Sequence, residues 1–158
     1  LHHGGFDLVM EGPVRERQYL GRIELDGLPG KNLAGNTRCD HFTYQREFDA
    51  LKTDAYWAMK KAKITKAQDR IETQVTFVVP NDRRLDEDNM MFGLKAVWDA
   101  LVEYKAIPDD CWKNLTHGRP SFVIARQRKR AKVVIDFWEG EPLNQEIING
   151  VSKPERLK

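Results

Sequence analysis

One segment constrains this chain more than any other. Ile71, Thr73, Val75, Phe77 and Val79 alternate as a half-buried strand should, and the acid-rich RRLDEDN follows almost at once. From Asn89 onward Met91, Leu94, Val97, Trp98, Leu101 and Val102 recur at helical spacing. The pattern breaks at Ile107-Pro108, because proline disfavours helix at the residue before it. A strand that feeds a helix with one apolar stripe needs a sheet for that stripe to cover. The spacing therefore predicts an α+β domain, a small mixed β-sheet of about four strands under two principal helices. The second helix is expected over His41–Ala62, with Phe42, Phe48, Leu51, Ala55, Trp57 and Met59 as core candidates. Arg22 to Leu28 reads as a first strand, Pro29-Gly30-Lys31-Asn32 as a turn, and SFVIA and KVVIDFW as two final strands flanking a polar turn.

The acids lie where this scaffold changes direction. Asp86 and Asp88 stand at the loop-to-helix junction, and Asp109-Asp110 follow the break. Magnesium and manganese are hard ions that take oxygen ligands, with water and substrate phosphate completing the shell. Asp86, Asp88 and a third acid suffice for that chemistry. On an unbroken helix the seven-residue step from Asp88 to Lys95 leaves the two about 20° apart, and Asp99 joins the same stripe. Lys95 and Asp99 are also an i,i+4 pair. Adjacent Asp109 and Asp110 repel, so a cation is expected beside them. The plainer alternatives are that Asp86 or Asp88 caps the helix and that Lys95–Asp99 is an ordinary surface pair. A calcium loop fits poorly, since Met90 and Met91 stand where an Asp or Asn and then a Gly belong.

Taken together, RRLDEDN, LKAVWDAL and IPDD, followed by two strand-like segments, resemble the RusA family of Holliday-junction resolvases, common in prophages and mobile elements. The resemblance covers roughly Arg22 to Glu139, with its motifs between Arg83 and Asp110. It implies a magnesium- or manganese-dependent endodeoxyribonuclease of DNA recombination and repair, acting as a homodimer on branched DNA. Carried over residue by residue, the metal-binding acids fall on Asp86, Asp88 and Asp110, and the essential lysine on Lys95. One departure is visible: the lysine follows the second Asp by seven residues, where the bacterial resolvase has four. Three extra residues are nearly one turn, so on a continuous helix the lysine keeps its face and moves about 4.5 Å along the axis.

Other features bound the reading. A length of 158 residues fits one domain, with 1–21 an uncertain N-terminal extension, 22–139 the nuclease-like body and 140–158 a tail. The balance of 26 basic against 24 acidic residues gives a net charge of +2, so distribution matters more than total. Arg119, Arg126, Arg128, Lys129, Arg130 and Lys132 occupy one stretch without an acid. The last five, between the final strands, are the DNA-backbone candidates; their alternative is a solvated hairpin turn. His117, in a connecting loop near the acids, has two readings, a ligand or the commoner surface residue, and His2-His3 reads as a tag remnant or truncated start. Cys39 and Cys111 form no CxxC, which suits idle thiols in a reducing cytoplasm. No apolar run is long enough to span a membrane. Two rival functions stay open, a RusA-like DNA-binding module that no longer cuts and a different metal-dependent phosphoesterase.

Overall fold

The computed structural model describes residues 16–35, 38–126 and 130–143. Its elements run β1 (Tyr19–Asp26), α1 (His41–Ala62), β2 (Ile71–Val79), α2 (Glu87–Phe92), α3 (Lys95–Glu103), β3 (Leu115–His117), β4 (Ser121–Ile124) and β5 (Lys132–Glu139). The fold is α+β, with a mixed five-stranded sheet in the order β1-β5-β2-β3 and β4 also on β2.

β2 is the organising strand. β5 runs antiparallel along one flank from Ile71↔Glu139 to Val78↔Lys132. The other flank is shared by β3, parallel at Ile71↔Leu115, and β4, parallel at Thr76↔Ser121. Burial on both flanks and on the helical face explains its apolar composition: Ile71, Val75 and Phe77 are fully buried. β1 alternates buried and exposed positions, as a strand with one solvated face does.

α1 is capped at its start by Asp40, which accepts from the Thr43 amide at 2.8 Å. It ends at Lys63 in the left-handed region, φ 56°. Ala55 and Met59 form its buried seam, while Phe42 at 75% and Trp57 at 58% exposure face outward, against the expectation that both are core. The buried face of α1 is narrower than the aromatic spacing suggests. It packs on α3 and β1, where Tyr104 just past α3 donates to the Ile64 carbonyl at 2.8 Å.

Three expectations change with the tertiary structure. The first strand spans Tyr19–Asp26 rather than Arg22 to Leu28, because its register is set by β5. The helix expected from Asn89 to Tyr104 is two helices, α2 and α3, separated at Gly93 and Leu94. A Cβ at Gly93 would lie 2.5 Å from the Cβ of Pro29, so only glycine lets the loop after β1 seat on this junction. The final strands are not a hairpin, since β2 lies between β4 and β5. The described ends of their connection are bonded to neighbouring segments, where Ala125 donates to the Val79 carbonyl at 2.8 Å and Gly27 to that of Ala131 at 2.9 Å.

Candidate functional site

Lys95 is the first residue of α3, whose N-cap position, Leu94, makes no side-chain cap hydrogen bond. A cation at a helix N-terminus works against the helix dipole, so the position needs a local reason. Two carboxylates supply it: the Lys95 Nζ lies 2.7 Å from Asp99 Oδ1 and 2.5 Å from Asp110 Oδ2. The cation expected beside Asp109-Asp110 is therefore Lys95. Asp109 turns inward on the chain itself, its Oδ1 accepting from the Asp110 amide at 2.8 Å. Partial burial acts to lower the Lys95 pKa, but hydrogen bonds to Asp110 and Asp99 outweigh it and hold the ammonium above its ordinary value. The Lys95 hydrogen bond in turn holds the Asp110 carboxyl below the usual carboxylate range.

His117 is near enough to feel the Asp110 charge, and its own contacts are with Thr73 and Trp98. Its Nδ1 is 2.7 Å from the Thr73 hydroxyl, which is 1% exposed, and its ring packs on Trp98 with centroids 4.3 Å apart. Desolvation lowers its pKa, with the Asp110 charge acting in the opposite direction. The residue is nonetheless exposed in total area: one edge and one face are covered while the remainder is open. Neither the surface reading nor the ligand reading of His117 included these contacts. No local spacing signals them, because Thr73, Trp98 and Asp110 lie on three different segments.

The segment after His117 is fixed to β2. Gly118 donates to the Thr73 carbonyl at 2.8 Å, and the Gln74 amide donates to the Arg119 carbonyl at 3.0 Å. A Cβ at Gly118 would come within 2.8 Å of Gln74 Oε1, so that segment lies close against the strand. Arg119 reaches Glu87 Oε2 at 3.7 Å, a loose and exposed pair that links this corner to the first turn of α2.

That turn carries the other acids. Asp86 is the N-cap of α2 and accepts from the Asn89 amide at 3.1 Å through Oδ1. The capping alternative is thus realised for Asp86, and its second oxygen is not used by that cap. Asp88 is exposed in the first turn. The break at Gly93 removes the continuous helix on which Asp88 and Lys95 were to share a face, whereas the Lys95–Asp99 spacing survives within α3. Among the described residues no group of three or more His, Cys, Asp or Glu side chains is arranged to hold a metal ion. By donor chemistry the acids still suit a hard cation, which needs only one or two carboxylates when water and phosphate complete its shell.

Of the basic candidates, Arg126 and Arg130 are exposed. Lys132 is committed to Glu24 at 2.7 Å, its side chain only 16% exposed. Arg128 and Lys129 lie outside the described residues. The two cysteines are free, Cys39 exposed and Cys111 half-buried. Among the described residues no helix is long and apolar enough to cross a membrane.

No protein-family model matches this chain, and no curated protein matches it. Among solved structures it is similar to a GTPγS-form protofilament of TubZ from Bacillus thuringiensis serovar israelensis, with 10% identity and a TM-score of 0.37. That likeness covers 87% of this chain and 28% of the TubZ chain, and it is too slight to bear on fold family or function.

Proposed function

We propose that this chain is a RusA-type, metal-dependent endodeoxyribonuclease that resolves Holliday junctions by paired phosphodiester hydrolysis. The observation that carries the reading is the Lys95–Asp110 ion pair. The two residues are fifteen apart in sequence, and the RusA resemblance names both. Asp86 and Asp88 in the first turn of α2 complete the acid set. Magnesium or manganese held by Asp86, Asp88 and Asp110 would supply a bound water of lowered pKa and positive charge for the phosphate.

The roles of the chain's own groups follow from their charge and exposure. Lys95 neutralises Asp110 at rest, and in the working complex its ammonium meets negative charge developing on the phosphate. Asp99, bonded to the same ammonium, holds it at the start of α3 when Asp110 is otherwise engaged. Arg126 and Arg130, both exposed, offer charge to the DNA backbone. A homodimer would give a four-way junction two active sites for its two opposed nicks.

Nicking assays on a four-way junction, a linear duplex and single-stranded RNA, with and without magnesium, test the reading. Metal-dependent paired nicks in the junction alone are the expected result. Cleavage of RNA in preference to the junction would make the chain a different phosphoesterase. Tight junction binding without nicks would make it a DNA-binding module. Asp88→Asn should abolish cleavage while preserving junction binding, since it deletes a ligand and one negative charge facing phosphate.

A further inference from the structure

We infer that His117 is a catalytic residue of this site, donating a hydrogen bond from Nε2 to an oxygen of the attacked phosphodiester beside Lys95. The inference rests on the nuclease reading above and adds a substrate contact that neither the motif nor the spacing names.

Its basis is the way the imidazole is held. Thr73 is 1% exposed, and a buried hydroxyl must place its hydrogen on an acceptor. His117 Nδ1, 2.7 Å away, offers that acceptor when its lone pair faces Thr73. A neutral imidazole with Nδ1 accepting carries its hydrogen on Nε2. The ring cannot turn freely, because Trp98 packs along it with centroids 4.3 Å apart. Gly118 and Arg119 are pinned to Thr73 and Gln74 immediately afterwards. With the Thr73 hydroxyl donating, Thr73 is a positioning residue that sets the tautomer and the direction of the Nε2 donor.

The surroundings favour an anionic substrate group at the open edge. Asp110 acts on the imidazole electrostatically and is bonded to Lys95, which also holds Asp99. Arg119 stands two residues beyond His117, paired loosely with Glu87. Lys95 and Arg119 thus accompany the neutral donor, and the carboxylates paired with those two cations are Asp99, Asp110 and Glu87. A phosphate oxygen fits such surroundings better than a further carboxylate does. A neutral donor adds hydrogen bonding without another charge for Asp110 to capture.

Single-turnover nicking of a four-way junction at saturating DNA and magnesium tests the contact. His117→Ala should slow the step by about a hundredfold, the lower end for loss of one oriented donor, with junction affinity unchanged within about twofold. His117→Gln, whose amide nitrogen can stand near the Nε2 position, should recover most of that loss. Thr73→Val, which keeps the shape and removes the hydroxyl, should fall between. A rate within twofold of wild type for His117→Ala, or equal losses in rate and affinity, would overturn the inference. Nitrogen-15 NMR of the unsubstituted protein reads the tautomer independently of cleavage. The Nε2–H form, with its resonance shifting on addition of junction DNA, is expected, and an Nδ1–H form overturns the proposal even if every variant folds poorly. Should the wild-type protein nick nothing while that resonance still responds to DNA, the nuclease reading fails and the contact stands.

Discussion

At the scale of single residues, Lys95 carries the most information. A lysine opening a helix without a capping side chain is locally unfavourable, and its two carboxylate partners show what the position is for. If the chain is the proposed nuclease, Lys95→Ala is expected to lower turnover far more than DNA affinity, because the ammonium would count most when charge develops on phosphate. Equal losses in single-turnover rate and in affinity would make it a plain phosphate contact. The same pair predicts a pH dependence of stability. Asp110 has its folded pKa depressed below 3.8, so its contribution is present above that value and is lost as pH falls through the depressed one. Lys95 has its folded pKa raised above 10.5, so its share is present below that value and is lost as pH rises through the raised one. Melting temperatures measured across acid pH should therefore fall less steeply for Asp110→Asn than for wild type. Both side chains are partly exposed, so the pair belongs with surface ion pairs, worth about 1 kcal/mol or less.

At the scale of elements, the break between α2 and α3 decides the geometry of the site. Helix propensity alone favours Gly93→Ala by at most about 1 kcal/mol, the helix-interior value, since Gly93 is the C-cap of α2. The new Cβ would stand 2.5 Å from Pro29 Cβ, on a ring with little freedom to move, and overpacking of that kind costs about 1–3 kcal/mol. The steric cost is the larger, so Gly93→Ala should destabilise the fold by about 1 kcal/mol net. Denaturant unfolding measures it, and a gain in stability would show that the loop after β1 does not rest on this junction. The alternation of β2 and the long α1 were legible because each carries its own period. The helix break was not, because its one local signal, Gly93, is a lone glycine of the kind helices tolerate; the partner that needs Gly93 to be small is Pro29, sixty-four residues earlier in the chain.

For the whole molecule, the order of strands separates His117 from the basic connection. His117 and Gly118 lie beside the start of β2, whereas Arg126 and Arg130 follow β4 past the end of β2, with β4 between them. Neutralising Arg126 and Arg130 together should therefore weaken junction and duplex binding alike while leaving single-turnover nicking at saturating DNA intact. The slope of log affinity against log salt should flatten by about 0.9 for each lost phosphate contact on B-form DNA. Titrations at several salt concentrations check this. An unchanged slope would move the DNA-binding surface elsewhere, with the exposed Lys60 and Lys61 near the end of α1 the next to test.

The α+β class, the extent of α1, the strand β2 and the acid-rich turn after it were all determined by local pattern. Period, capping and proline placement act over a few residues, and the sequence displays them directly. Only the tertiary structure decided that β2 separates β4 from β5, which places the two strands of an apparent hairpin on opposite flanks of a third. It likewise decided that Lys95 bonds Asp110 as well as Asp99, and that His117 is fastened to Thr73 and Trp98. Those contacts join segments 15 to 44 residues apart. Their partners are chosen by strand order and by a glycine-sized gap at a helix junction, neither of which leaves a period to read.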